Sequence, residues 1–298
     1  MTDSDFINPL NLPLIETLGI VGLGLIGGSF AKAMRQANLC QEILAYDTDA
    51  QQLEAAHTAG VIDQIADIAT LSKKADLIFL AVPVNAYEPI LQHIKPHLQA
   101  GTLIVDAGST KSQPLQTAKR VLQAQAGQFI AAHPMAGSHE SGLQAARADL
   151  FLHRPFFITP SADNQSNDIN LLRFLLAGLG AKVSEMDAQT HDRMFAAVSH
   201  LPHLISAAYM HAILQDAQAE QLLANAGTGF KDFTRIAASS APLWRDVFFS
   251  NKQAVLAHLQ VFKAQLEAAE QLLQNQQSDD FLDWYEAASK ARADWQLQ

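Results

Sequence analysis

The sequence predicts an α/β protein, a doubly wound and mainly parallel sheet with helices on both faces, followed by an all-α last third. Three observations lead there. Short apolar runs recur through the first two-thirds, each separated from the next by a helix-length segment. The first of these runs feeds directly into a glycine-rich turn. Beyond Asp187 the β-branched runs stop, and apolar residues recur only at helical spacing. Strands that are apolar on both faces and alternate with helices belong to βαβ units.

In chain order, residues 1–13 are polar and proline-punctuated and are expected to form a frayed arm. The first buried strand is Leu18–Val21. Its successors are Ile43–Tyr46, Leu77–Val82, Leu103–Val105, Phe129–Ala132, Phe156–Thr159 and Val183–Met186. Phe30–Gln36 is helix-like. Ser161–Asp168 (SADNQSND) reads as a loop inside the first domain, because strands flank it. After Ala188, the series Met194, Val198, Leu201, Ile205 and Val255, Leu259, Phe262, Leu266, Leu273 mark helices. Pro202 and Ala224–Phe230 (ANAGTGF) interrupt them. The expected domains are 14–187 and 188–298. The helical part has too little polar surface for a lone bundle, so it is expected to pack on the first domain or on a second copy of itself.

Composition narrows the function. A chain of 298 residues has room for about two domains, and 49% hydrophobic with 17% charged residues is ordinary for a globular protein. The net charge of −10 and the lack of a basic run exclude a typical nucleic-acid binder, whose affinity comes from neutralising phosphates. The single cysteine, Cys40, excludes an internal disulfide and a thiolate metal site. No apolar stretch approaches the roughly 18–20 residues that span a bilayer, and the acidic N-terminus is unlike a signal peptide. A cytoplasmic protein without a membrane partner is expected.

Gly22-Leu-Gly24-Leu-Ile-Gly27-Gly28-Ser29 follows the first strand and opens a helix. In a G-x-G-x-x-G turn the first glycine permits the bend, the second lets backbone approach a pyrophosphate, and the third lets helix and strand pack closely. The diphosphate then sits on free N–H groups at the helix N-terminus. Asp47, at the end of the second strand, lies 25 residues after Gly22. An acid there accepts hydrogen bonds from the adenosine ribose and repels a 2′-phosphate, which favours NAD over NADP. The plain alternative is an ordinary strand-to-helix turn beside a surface aspartate.

Two polar clusters follow buried strands, Asp106-Ala-Gly108-Ser109-Thr110-Lys111 and His133-Pro134-Met-Ala-Gly137-Ser138. Groups just past the strand ends of an open α/β sheet surround the ligand crevice, so Ser109 and His133 can both face a nicotinamide. A hydrolase pair would need a G-x-S-x-G elbow, which is lacking. Beside a nicotinamide, a neutral imidazole serves as the base that removes a hydroxyl proton while hydride leaves the same carbon. A strand-end histidine bonded to backbone is the alternative. In the helical part, His191-Asp192 precedes Ser199-His200-Leu-Pro202-His203. The His200/His203 spacing invites a metal, but no HExxH or carboxylate companion supports one, and none is expected. Pro202 fits a first turn or a kink that leaves His203 pointed at a cavity. Arg235 could clamp a carboxylate with its planar fork, or pair with Asp232 or Asp246.

Together GLGLIGGS, DAGSTK, HPMAGS, HDxxxAxxSHLPH and FKDFTRIAxSxxxxWRD, in this order, resemble the prephenate/arogenate dehydrogenases of tyrosine biosynthesis. The resemblance runs from about Leu18 to Asn251. It implies a Rossmann domain, an all-helical domain that forms a homodimer, and an active site between them. It also implies oxidative decarboxylation: hydride leaves the C4 carbinol carbon of a cyclohexadienol for NAD, the hydroxyl loses its proton, and the ring carboxylate departs as CO₂. By motif position, His133 matches the catalytic histidine and Ser109 the serine that orients it and touches cofactor and substrate. His203, Arg235 and Trp244 match substrate-binding positions. His139 stands where several relatives carry a glutamate, with Glu140 next, so either residue could supply that part of the polar network. The expected cofactor contacts are Gly22, Gly24, Leu25, Ile26, Gly27, Asp47, Val82, Pro83 and Ser109.

Two other classes compete. Dehydrogenases of the 3-hydroxyacid or 6-phosphogluconate type also join such domains but present a lysine as acid/base, for which Lys231 and Lys252 are the stand-ins in the helical part. A non-catalytic NAD-binding dimer would use Ser109, His133 and Arg235 for packing only.

Overall fold

The computed structural model describes residues 13–137 and 142–296. The expected N-terminal arm (save Pro13) and His139 with Glu140 therefore lie outside the described residues. The first part of the chain forms β1 (Ile15–Val21), α1 (Leu25–Gln36), β2 (Cys40–Tyr46), α2 (Ala50–Thr58), β3 (Gln64–Ile65), α3 (Ile68–Lys74) and β4 (Leu77–Leu80). It continues through α4 (Tyr87–Ile94), β5 (Leu103–Asp106), α5 (Ser112–Leu122), β6 (Phe129–Pro134), β7 (Pro155–Thr159), α6 (Ser166–Gly178) and β8 (Lys182–Glu185). These strands make one sheet in the order β3-β2-β1-β4-β5-β6-β7-β8. β1 to β6 are parallel, β7 runs antiparallel to β6, and β8 is parallel to β7.

The strand order reverses between β1 and β4, which opens a crevice beyond their C-terminal ends. The two cores follow from period-2 alternation in strands buried on both faces. On one face lie Leu77 and Phe79 of β4, Leu103 and Val105 of β5, and Ile130 and Ala132 of β6, under α1 and α6. On the other lie Ile78 and Leu80, Ile104, and Phe129 and Ala131, under α3, α4 and α5. Phe30 of α1 stacks on Phe79 with ring centroids 3.8 Å apart, anchoring the glycine-turn helix to the sheet.

Several boundaries differ from the sequence expectation for local reasons. β3 has two exposed residues and no apolar run to announce it. α1 begins at Leu25, since the helix starts as soon as Gly24 ends the turn. α6 begins at Ser166, inside the stretch read as loop, because polar residues are tolerated in a first turn. β8 is an edge strand whose burial is confined to Val183, which is half-buried.

The remainder is helical: α7 (Ala188–Phe195), a π-helical turn (Ala196–His200), α8 (Leu201–Leu214), α9 (Ala219–Ala224), α10 (Thr228–Thr234), α11 (Ala241–Ser250), α12 (Lys252–Gln274) and α13 (Ser278–Asp294). The π turn joins α7 to α8 without a break. It widens the helix just before Pro202, whose ring needs that room against the preceding carbonyls and which donates no N–H. The extra residue also changes the phase of the apolar series, so Val198 points outward and is 67% exposed. Apart from Ile65 and Leu152, every exposed large hydrophobic side chain among the described residues lies after Asp187. None of the described helices is long and apolar enough to cross a membrane.

Candidate active site

The glycine turn is built for close approach. Gly22 has φ +95°, and a Cβ there would meet the Ala81 carbonyl oxygen at 2.5 Å and Val82 Cγ1 at 2.9 Å. At Gly27 a Cβ would fall 1.9 Å from the Gly22 carbonyl oxygen. Gly24 differs, since a Cβ on it would meet nothing within 4 Å. Its open side, next to the uncapped first turn formed by Leu25, Ile26 and Gly27, presents free N–H groups at the positive end of α1. The described residues thus fit a nucleotide diphosphate. Asp47 accepts hydrogen bonds from the Leu23 amide at 2.7 Å and the Asp49 amide at 2.9 Å. It pins the turn while keeping lone pairs for further donors. Val82 and Pro83 follow β4 beside Gly22, Val82 half-buried and Pro83 exposed.

Ser109 and His133 both stand at the C-terminal ends of neighbouring parallel strands, as expected. Between them is a feature not anticipated. The β5–β6 ladder stops at Val105↔Ile130. Beyond it the Asp106 carboxylate accepts from the Ala132 amide at 2.9 Å, and Lys111 Nζ donates to the Ala132 carbonyl. Lys111 and Asp106 form an ion pair at 2.5 Å with neither side chain exposed. Tyr87 Oη and the Gly108 amide also donate to Asp106. A side-chain pair therefore replaces the ladder immediately before His133.

His133 Nδ1 lies 2.9 Å from Nε2 of His191, whose Nδ1 lies 3.0 Å from Oδ1 of Asp192. The Asp192 carboxylate also accepts from the Lys111 and Ser112 amides, each at 2.8 Å, and so caps α5 from the helical part of the chain. Phe195 packs edge-on to His133 at 5.0 Å. Burial, with the neighbouring His191, Lys111 and His200, pushes the His133 imidazole well below its ordinary pKa. Burial also depresses His191, with Asp192 partly opposing it. At Asp192 burial pushes upward, but the hydrogen bonds from His191, Ser112 and Lys111 prevail and hold it below the usual carboxylate value.

Polar contacts continue toward the predicted substrate residues. Asn251 Nδ2 donates to the Asp192 carbonyl at 2.7 Å and to His200 Nδ1 at 3.1 Å. Burial lowers His200 to about 4. The Trp244 ring meets His200 edge-on at 6.0 Å and stacks on His203 at 3.6 Å. His203 Nδ1 donates to the Ser199 carbonyl at 2.9 Å. The exposed Arg235, at the end of α10, is close enough to help burial and lower the His203 pKa. Asp246 pairs with Arg245 at 2.7 Å, not with Arg235. His203 and Trp244 thus form one cluster, on which the charge of Arg235 acts, and His133 is linked to it through His191, Asp192, Asn251 and His200. No bond between Ser109 and His133 appears among the described contacts. In the sequence His191 and Asp192 open the HDxxxAxxSHLPH motif and precede the SHLPH run. Nothing local indicates that they reach a strand end 58 residues earlier.

A dinucleotide-type crevice facing a helical lobe that supplies histidines, an aromatic and a cation defines a two-domain dehydrogenase. Comparison with known proteins specifies it. Residues 30–185 match the family model "Prephenate dehydrogenase, nucleotide-binding domain", and residues 187–287 match "Prephenate dehydrogenase, dimerization domain". The chain belongs to the prephenate dehydrogenase family, an oxidoreductase family. The prephenate dehydrogenase of Bacillus subtilis is 32% identical over 93% of this chain and 75% of its own length. A cyclohexadienyl dehydrogenase of Zymomonas mobilis is 29% identical over 94% and 96%. Among solved structures, prephenate dehydrogenase from A. aeolicus in complex with hydroxyphenyl propionate and NAD⁺ superposes with a TM-score of 0.88. It is 28% identical, covering 93% of this chain and 97% of that one.

Proposed function

We propose that this chain oxidatively decarboxylates prephenate to 4-hydroxyphenylpyruvate, in tyrosine biosynthesis, with NAD as the cofactor. The single observation that carries this reading is the unbroken line of contacts from His133 at the sheet end to the stacked His203–Trp244 pair, beside which the charge of Arg235 acts. It joins a proton acceptor to a carboxylate receptor across the two parts of the chain. Bound NAD⁺ supplies a hydride acceptor. Gly22, Gly24, Leu25, Ile26 and Gly27 hold the diphosphate, Asp47 the adenosine ribose, and Val82, Pro83 and Ser109 the rest of the dinucleotide. The Asp47 carboxylate favours NAD over NADP.

Neutral His133 takes the proton of the C4 hydroxyl as hydride departs from the same carbon. The resulting ring loses its C1 carboxylate as CO₂, the electron pair of that bond entering the ring, which becomes aromatic while the C4 oxygen recovers the proton from His133. Ser109, at the neighbouring strand end, faces the cofactor and substrate, and Arg235 grips a substrate carboxylate beside His203 and Trp244. The working division is 14–187 for the nucleotide and 188–298 for substrate and dimerisation. A second copy would cover the exposed apolar faces of the helical part, such as Phe249 and Val261. A cytoplasmic location suits such a biosynthetic step. The lysine-dependent dehydrogenase reading finds little support, because Lys231 and Lys252 are exposed and Lys111 is sealed away from any ligand.

Arogenate, with an amino group for the side-chain ketone, presents the same ring, hydroxyl and ring carboxylate. The test is absorbance of reduced nicotinamide when the purified chain and NAD⁺ receive prephenate in one cuvette and arogenate in the other. A rise with prephenate supports the proposal, a rise with arogenate alone moves the substrate, and silence in both, also with NADP⁺, overturns it.

A further inference from the structure

His191 and Asp192 touch no reacting atom in the proposed chemistry, yet their line to His133 has one consistent proton assignment. The Asp192 carboxylate accepts two backbone N–H groups at the start of α5, and an ionised carboxylate has no proton to give. His191 Nδ1, 3.0 Å from Oδ1, must therefore carry a hydrogen and donate it. A neutral imidazole has one N–H, so His191 Nε2 is an acceptor. His133 Nδ1, 2.9 Å from it, is then the donor, and the remaining lone pair of His133 sits on Nε2.

We infer that His191 and Asp192 are positioning residues that hold His133 in the tautomer whose Nε2 is the base. The inference rests on the reading of His133 as the base, and deepens it. The same logic governs carboxylate-oriented histidines in general, where the orienting acid fixes the tautomer and stabilises the imidazolium without taking its proton. Once His133 has accepted the substrate proton on Nε2, its Nδ1–H still donates to His191, and no proton need travel further. The surroundings favour this arrangement. Phe157 and Phe195 pack around the His191 ring, at 6.2 and 4.5 Å. The titratable or charged neighbours facing the pair are Lys111 and His200, which oppose a second cation, and Asp106 and Asp192, which favour one.

The test reads the tautomer directly. The full-length protein, labelled with ¹⁵N-histidine, is observed by two-bond ¹H–¹⁵N spectroscopy of the imidazole rings at neutral pH. The His133 signals are assigned by their loss in His133→Asn. The expected spectrum shows His133 protonated on Nδ1 and bare on Nε2. In Asp192→Ala His191 Nδ1 loses its acceptor, the line is no longer fixed, and the His133 proton should redistribute between Nδ1 and Nε2. Turnover should then fall by roughly 10²-fold or more with the prephenate KM little changed. His191→Gln, whose amide oxygen can stand in for Nε2 as acceptor, should keep most of the turnover that His191→Phe loses. A wild-type His133 protonated on Nε2 would overturn the inference, as would an unchanged tautomer in Asp192→Ala. Near-normal turnover in His133→Asn would instead defeat the reading of His133 as the base, whichever tautomer is seen.

Discussion

Lys111 and Asp106 pair at 2.5 Å with both side chains fully buried, and between them they occupy the amide and the carbonyl of Ala132. The pair does for β5 and β6 what the backbone ladder no longer does past Val105↔Ile130. The strand ends are joined through side chains, and the next residue on β6 is His133. A buried ion pair with its remaining lone pairs satisfied is a specificity device more than a source of stability, but removing one partner strands the other.

Lys111→Met should therefore destabilise the fold by about 3–5 kcal/mol, because Asp106 would remain buried without its cation. Urea unfolding at neutral pH measures this as a lower midpoint at unchanged slope. The double variant Lys111→Met/Asp106→Asn should regain part of the loss, since the unpaired charge goes while an acceptor for the neighbouring donors remains. A single-variant change below about 1 kcal/mol would mean the pair is not what closes the strand ends.

The glycine turn separates folding from binding. Gly27→Ala should prevent correct folding of the turn, since its Cβ would meet the Gly22 carbonyl oxygen at 1.9 Å. Gly24→Ala has open space around its Cβ and an ordinary φ of −68°, so it should fold with an unchanged Tm. That methyl would stand where the diphosphate approaches, so the Kd for NAD should rise by roughly tenfold or more. Calorimetric titration and thermal melts of both variants distinguish the two effects.

Arg235→Gln should raise the KM for prephenate far more than that for NAD, because a planar cation is replaced by a neutral amide where a carboxylate docks. Steady-state kinetics with each substrate varied in turn reads the difference. Equal changes in both constants would return Arg235 to a structural role.

Acid should destabilise the protein once the pH falls below the ordinary histidine value. His133, His191 and His200 are all depressed in the folded chain, chiefly by burial. Above the ordinary value of 6.5 they are neutral in both states, and the full stability is present. Below it the unfolded chain binds protons that the folded chain excludes, so stability falls as pH falls toward the native values. For His200 the window runs from 6.5 to about 4, worth about 3 kcal/mol in all at 1.4 kcal/mol per unit. Unfolding midpoints at pH 7.5, 6 and 5 should decline stepwise. A flat series would show that these rings are protonated in the native state.

Much of the architecture was legible in the chain because its causes are local. Runs such as Leu77–Leu80 and Phe129–Ala132 announce buried strands, and Gly22, Gly24 and Gly27 announce a turn that only glycine can make. Ser109 and His133 could be placed at strand ends for the same reason. The two-residue β3 escaped because exposed Gln64 and Ile65 carry no pattern. The Ser109–His133 partnership expected from the family motif has no counterpart among the described contacts, where His191 instead meets His133 Nδ1.

Sequence alone thus determined the parallel sheet, the nucleotide turn, the helical remainder and the family, since periodicity, turn chemistry and contiguous motifs are written in neighbouring residues. Tertiary structure alone decided how the site is wired. Asp192 caps a helix 80 residues before it, Asn251 reaches back 59 residues to the Asp192 carbonyl, and a π turn sets the directions of His200 and His203. Hydrogen bonds between such distant residues depend on how the helices pack onto the sheet, and burial then sets the charge of every histidine in the line.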